Sequence, residues 1–375
     1  PQVVQAMLQA MKTHYGNPSS LHRKGLEAER QVKRARAAVA DLLGVEPETI
    51  IFTSGATEAN NLALRGAARA LQRWGKHILT SSIEHSSVLA TCRALRQEGF
   101  SLTELPVDRD GCVQLEQVEQ ALRPDTILIS LMFVNNEVGS VQPVAAVGQL
   151  VRRLRSQGRR LYFHVDAVQA VGKMEVKPGE QFIDLLSFSG HKCHGPKGVG
   201  VLYRDPAVRL EPLFTGGEQE QGLRPGTENV PGIVGLGSAL SWLQEHWVED
   251  AQYLWDLRAY LIEQVMAAIE DVKLNGPLTG RVAPHIANFS FPGVKAEVLV
   301  HYLEAEGIYV STGSACHSRA AAPSHVLAAM GLSPAELEGA IRVSLAASNT
   351  RAEIDRFVSV LRTAVRELRQ IAGRR

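Results

Sequence analysis

Short apolar runs, separated by helical patterns, dominate the first part of the chain. Each run ends in polar residues, and the segments between runs repeat their apolar positions at helical spacing. Strands buried on both faces of a parallel sheet show such continuous runs rather than an alternating pattern. The pattern predicts an α/β fold with a mainly parallel sheet. The predicted strands lie at 49–52, 77–80, 126–134, 162–165, 182–188 and 199–203.

The pattern changes towards the C-terminus, where two long helical patterns cover 232–269. Beyond them the sequence predicts strands at 287–291, 308–312 and 341–345 and a helix at 296–306. The last helix begins at a capping box of Thr350 and Glu353. Its apolar stripe comprises Ile354, Val358, Leu361, Val365 and Leu368. We therefore predict a large domain at 1–248 and a smaller α+β domain at 249–375.

A polar, glycine-rich turn follows the predicted strand at 182–188. It carries the hydroxyl of Ser189, the imidazole of His191 and the amine of Lys192. Open α/β sheets bind ligands at the carboxyl ends of their strands. A lysine beside buried strands loses hydration, so its pKa falls and its amine can attack a carbonyl. The alternative is that Lys192 is a solvated turn residue and the glycines only shape the turn.

Small residues follow the predicted strand at 49–52. The segment 53–61, which includes Ala56 and Thr57, leads into a long Ala- and Leu-rich helix. Backbone amides at a helix N-terminus favour an anion, so we assign this segment to phosphate binding. The commoner use of such residues is a helix cap, here built from Ser54 and Thr57.

Two more strand ends carry candidate side chains. His85 follows the strand at 77–80 and could stack on a flat aromatic ligand, although a lone histidine more often satisfies a loop hydrogen bond. Asp166 follows the strand at 162–165, where a buried acid is costly unless a cation meets it. We therefore expect a positive partner for Asp166.

The smaller domain offers a thiol and a guanidinium. Cys316 lies in a loop of small and polar residues, where exposure beside a cationic site would favour the thiolate; an unreactive loop cysteine is an equal alternative. Arg342, on the strand at 341–345, is the candidate to hold a substrate carboxylate as a bidentate pair. The alternative is a surface cation at a strand edge.

Composition limits the classes of partner. A net charge of +1 over 375 residues gives no reason to expect nucleic acid or an anionic membrane as the main partner. No apolar run reaches membrane-spanning length and no leader pattern opens the chain, so we expect a cytoplasmic location. The four cysteines lie far apart, with no Cys-x-x-Cys pair, which argues against a zinc knuckle or a disulfide scaffold.

The strand-end residues together describe one ligand. A phosphate cradle, a ring-stacking imidazole, an acid that needs a cation and an amine for an aldehyde all fit pyridoxal 5'-phosphate. The ring nitrogen of this cofactor, held protonated by a carboxylate, makes the ring an electron acceptor.

Eight segments carry a resemblance to a known family. In chain order they are GATEANN, EHSSV, VNNEVG, HVDAVQA, SFSGHKCHGPKGVG, RPGTENVPGIVG, STGSACHS and IRVSLA. They resemble the cysteine desulfurases of the NifS and IscS type over nearly the whole chain. The resemblance implies a homodimer of the pyridoxal-phosphate-dependent transferase fold type I, with a mainly parallel seven-stranded sheet flanked by helices.

The resemblance also implies a role for each motif residue. Lys192 would be the Schiff-base lysine and Cys316 the sulfur acceptor. The other implied roles are His85 stacked on the ring, Asp166 at the ring nitrogen, Gln169 at the ring hydroxyl, Asn136 near the substrate and Arg342 on the substrate carboxylate. Phosphate contacts would come from Ala56, Thr57, Ser189 and His191, with Thr227 reaching the phosphate from the other subunit.

The implied reaction converts L-cysteine to L-alanine. Lys192 would remove the Cα proton, and Cys316 would take the sulfur as a persulfide and carry it to an acceptor protein. Iron-sulfur cluster assembly and tRNA thiolation both remain open as the pathway served. A selenocysteine lyase and a catalytically silent assembly platform are the alternative functions.

The sequence departs from the family pattern at two places. The family's first strand would lie just upstream of Pro1, so we expect the substrate pocket to lack its contribution. The family's usual Gly-Arg after the last predicted strand is replaced by Ala346 and Ala347, which we expect to change the pocket edge rather than the cofactor site.

Overall fold

The structure is a computed structural model that describes residues 1–313 and 323–373. The chain forms two compact units, neither continuous in sequence. The first unit comprises Pro1–Leu105, Gln114–Phe133 and Pro143–Trp247, and the second Pro106–Val113, Val134–Gln142 and Val248–Arg375. None of the helices among the described residues has the length and apolar character needed to cross a membrane.

Helices and strands alternate through the first unit and part of the second. The helices are α1 Gln2–Thr13, α2 Arg23–Leu43, α3 Ala56–Leu71, α4 Ser86–Gln97, α5 Leu115–Ala121, α6 Val144–Ser156, α7 Val230–Ala268, α8 Ala296–Ala305, α9 His325–Ala329, α10 Pro334–Glu338 and α11 Arg351–Ala372. The strands are β1 Ile50–Thr53, β2 His77–Ser81, β3 Ser101–Leu105, β4 Thr126–Met132, β5 Tyr162–Asp166, β6 Leu185–Ser189, β7 Gly200–Arg204, β8 Lys273–Asn275, β9 Ile286–Ser290 and β10 Ala340–Ser344.

The first unit is built on a seven-stranded sheet in the order β1-β7-β6-β5-β4-β2-β3. All neighbouring pairs are parallel except those of β7, which runs antiparallel to both β1 and β6. Every residue of β4, β5 and β6 is buried, as expected for strands covered on both faces. The predicted α/β fold with a mainly parallel sheet is confirmed.

Helix α3 packs closely against this sheet because the buried face of the helix is made of small residues. Ala59, Ala63 and Ala67 recur every fourth residue and are completely buried. They join Leu62 and Leu202 in one apolar cluster of the first unit. The close packing fixes the position of the N-terminus of α3, where the candidate phosphate site begins.

The outer edge of the sheet at β1 is covered by an ion pair. The guanidinium of Arg36 binds both carboxylate oxygens of Glu220 at 2.6 and 2.9 Å, and it also donates to the carbonyl oxygen of Ile50. The backbone N–H of Phe52 donates to Glu220 Oε2 at 2.8 Å. Glu220 adopts a positive φ of 47°, so its backbone is strained to bring the carboxylate to this edge.

The second unit contains a three-stranded antiparallel sheet in the order β10-β9-β8. Phe289 and Phe291 lie at the centre of its core, with Leu299 of α8 and Leu361 of α11 packed in the same cluster. The predicted capping box at the start of α11 is present.

Three local predictions were wrong. The segment 308–312 forms no strand, and within it Ser311 alone makes an isolated bridge, to Arg342. The two helical patterns at 232–269 form the single helix α7, because no glycine or proline interrupts the chain in its middle. Strands β3 and β8 were not predicted; β3 is mostly half-exposed and β8 spans only three residues, so neither gives a clear apolar run.

Candidate functional site

The register of the sheet brings several predicted side chains of the first unit to one edge. Gly200, the first residue of β7, pairs with Thr53 at the end of β1 and with Ser189 at the end of β6. On the next strand, Asp166 ends β5 and pairs with Ser187. The carboxyl ends of three strands therefore surround one region of the first unit.

The N-terminus of α3 is open to a ligand. Its N-cap is Gly55, which has no side chain to accept the first amides of the helix. The alternative that Ser54 and Thr57 cap the helix is therefore not what the structure shows. The backbone N–H of Ser54 instead donates to Glu58 Oε2 at 2.8 Å, while Thr57 is exposed.

Glycine is required at position 200 because the backbone at the start of α3 lies against it. A Cβ at Gly200 would lie 2.5 Å from the Cα of Gly55 and 3.0 Å from the amide nitrogen of Ala56. Both neighbours are backbone atoms that cannot rotate away. The close approach holds the first amides of α3, including that of Ala56, beside the end of β6.

Ser189 and His191 face this helix end as a hydrogen-bonded pair. Ser189 Oγ lies 2.8 Å from His191 Nδ1, and 4.0 Å from the position that a Cβ on Gly55 would occupy. Burial and the charges of Lys192 and Lys197 lower the pKa of His191. Hydroxyl, imidazole and helix amides together form a set of donors suited to a phosphate.

Loop 224–229 is tied to the same helix. Arg224 Nε donates to Glu58 Oε1 at 2.9 Å. Burial works against ionisation of Glu58, but its bonds to Arg224 and Ser54 hold the pKa of this carboxyl below its usual range. Thr227 lies on this loop and is exposed.

Lys192 lies in a short 3₁₀ turn, Gly190–Cys193, that joins β6 to β7. Lys192 is half-buried, and its carbonyl oxygen accepts a hydrogen bond of 2.7 Å from Lys173 Nζ. The turn closes on itself through the N–H of Gly195, which donates to the carbonyl of Gly190 at 2.9 Å. Lys192 is thus presented from a turn held at both ends by paired strands.

Asp166 is a buried acid whose described hydrogen-bond donors are neutral. Asn60 Nδ2 donates to its Oδ2 at 2.8 Å, and the N–H of Val168 donates to its Oδ1 at 3.1 Å. Burial raises the pKa of Asp166, and the nearby imidazole of His85 lowers it in part. A cationic group bound beside Asp166 would hold the carboxyl ionised.

His85 belongs to the same hydrogen-bonded network. It is the N-cap of α4, and its Nδ1 accepts from the N–H of Ser87 at 3.2 Å, so the proton of the neutral ring lies on Nε2. Ser87 Oγ lies 2.8 Å from the same Nδ1 and accepts from Asn60 Nδ2 at 2.9 Å. The local hydrogen bond considered as the alternative for His85 is therefore present, as the N-cap bond of α4, and this bond also orients the ring.

The remaining predicted residues fall in different places. Gln169 is half-buried, three residues after Asp166. In the second unit, Arg342 Nη1 donates to the backbone carbonyl of Asn136 at 2.8 Å, which brings the two predicted substrate residues together. Cys316 lies outside the described residues. The described residues contain no group of three His, Cys, Asp or Glu side chains that could hold a metal ion.

Sequence reasoning missed Asn60 and Ser87, which link Asp166 to His85. Both lie within segments that the sequence had singled out, GATEANN and EHSSV. Asn60 is completely buried although it is polar, and a buried amide needs partners. The available signal was the position of Asn60 in the predicted helix, since it lies one turn after Ala56 of the predicted phosphate-binding segment.

The comparisons with known proteins agree with this architecture. The profile of the family described as Aminotransferase class-V matches residues 1–357. The chain therefore belongs to the class-V aminotransferase family, whose members depend on pyridoxal 5'-phosphate.

Similar proteins narrow the family further. Cysteine desulfurase IscS of Dictyoglomus turgidum is 44% identical over 372 residues, which cover 99% of this chain and 93% of that protein. A solved structure of a NifS-like protein is 39% identical, covers 96% of this chain and 94% of that chain, and has a TM-score of 0.89. A structure titled SspA in complex with cysteine is 36% identical, covers 93% and 96%, and has a TM-score of 0.80. Within the class-V family, the chain groups with the cysteine desulfurases of the NifS and IscS type, as its motifs indicated.

Proposed function

We propose that this protein is a pyridoxal-phosphate-dependent cysteine desulfurase that converts L-cysteine to L-alanine. The observation that carries the proposal is Asp166, a carboxyl buried at the end of β5 that accepts from the amide of Asn60 and the N–H of Val168. A buried acid of this kind is stabilised by a protonated ring nitrogen. Relatives named cysteine desulfurase, 43 to 45% identical over nearly the whole chain, support the same activity.

The residues of the first unit fit this cofactor. Asp166 would meet the ring nitrogen, Gln169 the ring hydroxyl and His85 the ring face. The phosphate would bind the amides of Ala56 and Thr57, the hydroxyl of Thr57, and the pair of Ser189 and His191, which are the donors at the open end of α3. Lys192 would hold the cofactor covalently through its amine, from the turn next to β6.

The reaction needs both a base and a sulfur acceptor from this chain. When bound, pyridoxal phosphate supplies a ring that accepts electrons from the substrate Cα. The amine of Lys192, freed when the substrate amine replaces it, would take the proton from that carbon. Asn136 and Arg342 would hold the substrate, Arg342 by binding the substrate carboxylate. The Cys316 thiolate would bond to the substrate sulfur as the carbon-sulfur bond breaks. L-alanine and the Cys316 persulfide together then contain every atom of L-cysteine and the thiol.

The other three cysteines are poorly suited to accept sulfur. Cys92, Cys112 and Cys193 are all buried. Burial raises the pKa of Cys92 to about 12 and that of Cys112 to about 11, and it raises the pKa of Cys193 as well. A thiol with a raised pKa is rarely the nucleophilic thiolate. By elimination, Cys316 is the candidate nucleophile.

Covalent trapping tests the cofactor assignment. The protein loaded with pyridoxal phosphate and treated with borohydride should carry the reduced cofactor on Lys192 by mass spectrometry. Lys192→Ala should abolish the adduct, whereas Lys197→Ala, which removes an exposed lysine of the same loop, should keep it. An adduct on another lysine, or none, would refute the assignment.

Mass spectrometry after incubation with L-cysteine tests the reaction. We expect one extra sulfur on Cys316, equimolar release of alanine, and loss of both in Cys316→Ala. The control variant Cys112→Ala should keep both. Sulfur transfer that persists in Cys316→Ala would contradict the proposal. Alanine release that is faster from selenocysteine than from cysteine, and that is unchanged in Cys316→Ala, would favour selenocysteine lyase.

We further propose that the protein acts as a homodimer in which Thr227 serves the partner's site. The exposed position of Thr227 on a loop anchored by Arg224 supports this. Mixed dimers of Lys192→Ala and Thr227→Val subunits would then contain one complete site and regain activity that neither parent has. If Thr227 serves its own subunit, mixing restores nothing.

The sulfur acceptor is proposed to be a protein of the scaffold or tRNA-thiolation type, without direct nucleic-acid binding. The cytoplasmic location stays a prediction.

A further inference from the structure

Lys173 places a charged side chain against the turn that carries Lys192. Lys173 lies seven residues after Asp166 in the sequence. Its Nζ donates to the carbonyl oxygen of Lys192 at 2.7 Å. Burial lowers the pKa of the Lys173 amine, and the neighbouring Cys193 raises it in part. Because burying an ammonium is costly, a lysine at this position is unfavourable for stability alone.

A second bond joins the same two segments. The thiol of Cys193, which is completely buried, donates to the carbonyl of Val171 at 3.4 Å. Residues 171 and 173 thus hold residues 192 and 193 by two side-chain bonds that run in opposite directions. The segment that follows Asp166 is thereby fastened to the turn of Lys192.

We propose that Lys173 is a positioning residue for Lys192, fixing the backbone from which the Lys192 amine is presented. The bond holds the carbonyl of Lys192 and therefore the direction of its Cα–Cβ bond. A charge-assisted bond to a carbonyl is stronger than a neutral one, and this favours lysine over a neutral donor here. That Lys173 matters for catalysis rests on the proposed function. That Lys173 positions the Lys192 amine does not depend on it.

The chain offers a matched control in Lys177. Its Nζ donates to the backbone carbonyl of Leu42 at 2.9 Å, near the C-terminus of α2. Both lysines are half-buried and each bonds one carbonyl. Lys173→Met and Lys177→Met therefore remove the same type of interaction, but only the first removes it from the turn of Lys192.

Competitive acylation of the cofactor-free, full-length protein over a range of pH tests the proposal. Mass spectrometry of the Lys192 peptide gives the reactivity and the apparent pKa of its amine. We expect Lys173→Met to shift this profile and Lys177→Met to leave it as in the unmodified protein, whatever change in thermal stability either variant shows. Identical Lys192 profiles in both variants would overturn the proposal.

Binding of pyridoxal phosphate, followed by absorbance, gives the second measurement. We expect Lys173→Met to weaken binding about tenfold, the effect of losing one charged hydrogen bond, and Lys177→Met to bind normally. If the unmodified protein binds no cofactor, the proposed function fails while the acylation result still decides the role of Lys173. If Lys173→Met does not fold, Lys173→Gln replaces it, and an unchanged Lys192 profile in that variant counts against the proposal.

Discussion

Gly200 shows how one residue decides whether the phosphate end of the site can form. A Cβ at this position would lie 2.5 Å from Gly55 Cα. The two backbone segments cannot move apart without breaking the pairing of β7 with β1 and β6. We expect Gly200→Ala to cost about 1–3 kcal/mol of folding free energy and to weaken pyridoxal phosphate binding at least tenfold.

Denaturant unfolding and absorbance titration measure these two effects. Gly179→Ala is the control, since nothing lies within 4 Å of a Cβ at that position and its φ is not in the left-handed region. It should match the unmodified protein in both assays. Normal cofactor binding by Gly200→Ala would show that the end of α3 does not hold the phosphate.

The residues that are predictable from sequence are those whose chemistry is unusual for their position. Asp166 stands out because an acid ends a buried strand, and Lys192 because an amine follows one. Asn60 and Ser87 do not stand out, since a helical Asn and a helix-start Ser are ordinary residues. Their role arises from contacts between α3, α4 and β5 that no local pattern contains.

At the scale of elements, Arg258 links helix α7 to the second unit's sheet region. It is 2% exposed, and its guanidinium donates to the carbonyls of Ile286, Leu278 and Pro277 at 2.8 to 2.9 Å. Burial lowers the pKa of Arg258 to about 10, which leaves it charged at neutral pH. The Arg258 side chain therefore supplies hydrogen-bond donors to three backbone carbonyls.

Arg258→Met should remove these bonds while keeping most of the side-chain volume. We expect a loss of about 2–4 kcal/mol in unfolding free energy, because buried carbonyls would lose a charged donor. Urea unfolding monitored by circular dichroism gives the value. Arg356→Met, which removes an exposed arginine bound to the single carbonyl of Glu306, should change stability by less than about 0.5 kcal/mol.

Elements were predictable where tertiary structure agrees with local pattern. The strands β4 and β5 are buried throughout and give continuous apolar runs, and α11 carries both a capping box and an apolar stripe. The segment 308–312 has a similar apolar pattern, but among its described backbone bonds the bridge to a strand is that of Ser311, through two bonds with Arg342. Whether a neighbouring strand is present to pair with is not encoded in the segment itself.

At the scale of the whole molecule, buried ionisable groups set the pH range of stability. Burial lowers the pKa of His77 to about 4 and that of His164 to about 3, from an ordinary 6.5. Their contribution is present above pH 6.5 and is lost as the pH falls towards those values. Burial, reinforced by the charge of Asp166, raises the pKa of Glu84 to about 8, although bonds from Ser81 and Met132 oppose this.

Glu84 should make the protein less stable as the pH rises. Between pH 4.5 and 8 the unfolded chain has lost the Glu84 proton while the folded protein keeps it, so the unfolding free energy falls with pH. The slope is at most about 1.4 kcal/mol per pH unit. Glu84→Gln imitates the protonated acid and should remove this dependence.

The difference in unfolding free energy between the unmodified protein and Glu84→Gln, measured from pH 5 to 8, isolates this group. It should shift steadily in favour of the variant as the pH rises. Glu116→Gln, at an exposed position in α5, should give a constant difference. A flat curve for Glu84→Gln would mean that Glu84 is ionised in the folded protein.

The pair of Arg36 and Glu220 has a consequence for solubility. A strand at the margin of a sheet can recruit a strand from another molecule, which begins aggregation. Here the outward carbonyl of Ile50 is bonded to Arg36 and the N–H of Phe52 to Glu220. These two backbone groups of β1 therefore cannot pair with an incoming strand. Glu220→Ala should therefore form thioflavin-binding aggregates on mild heating sooner than Arg93→Ala, which breaks an exposed ion pair elsewhere.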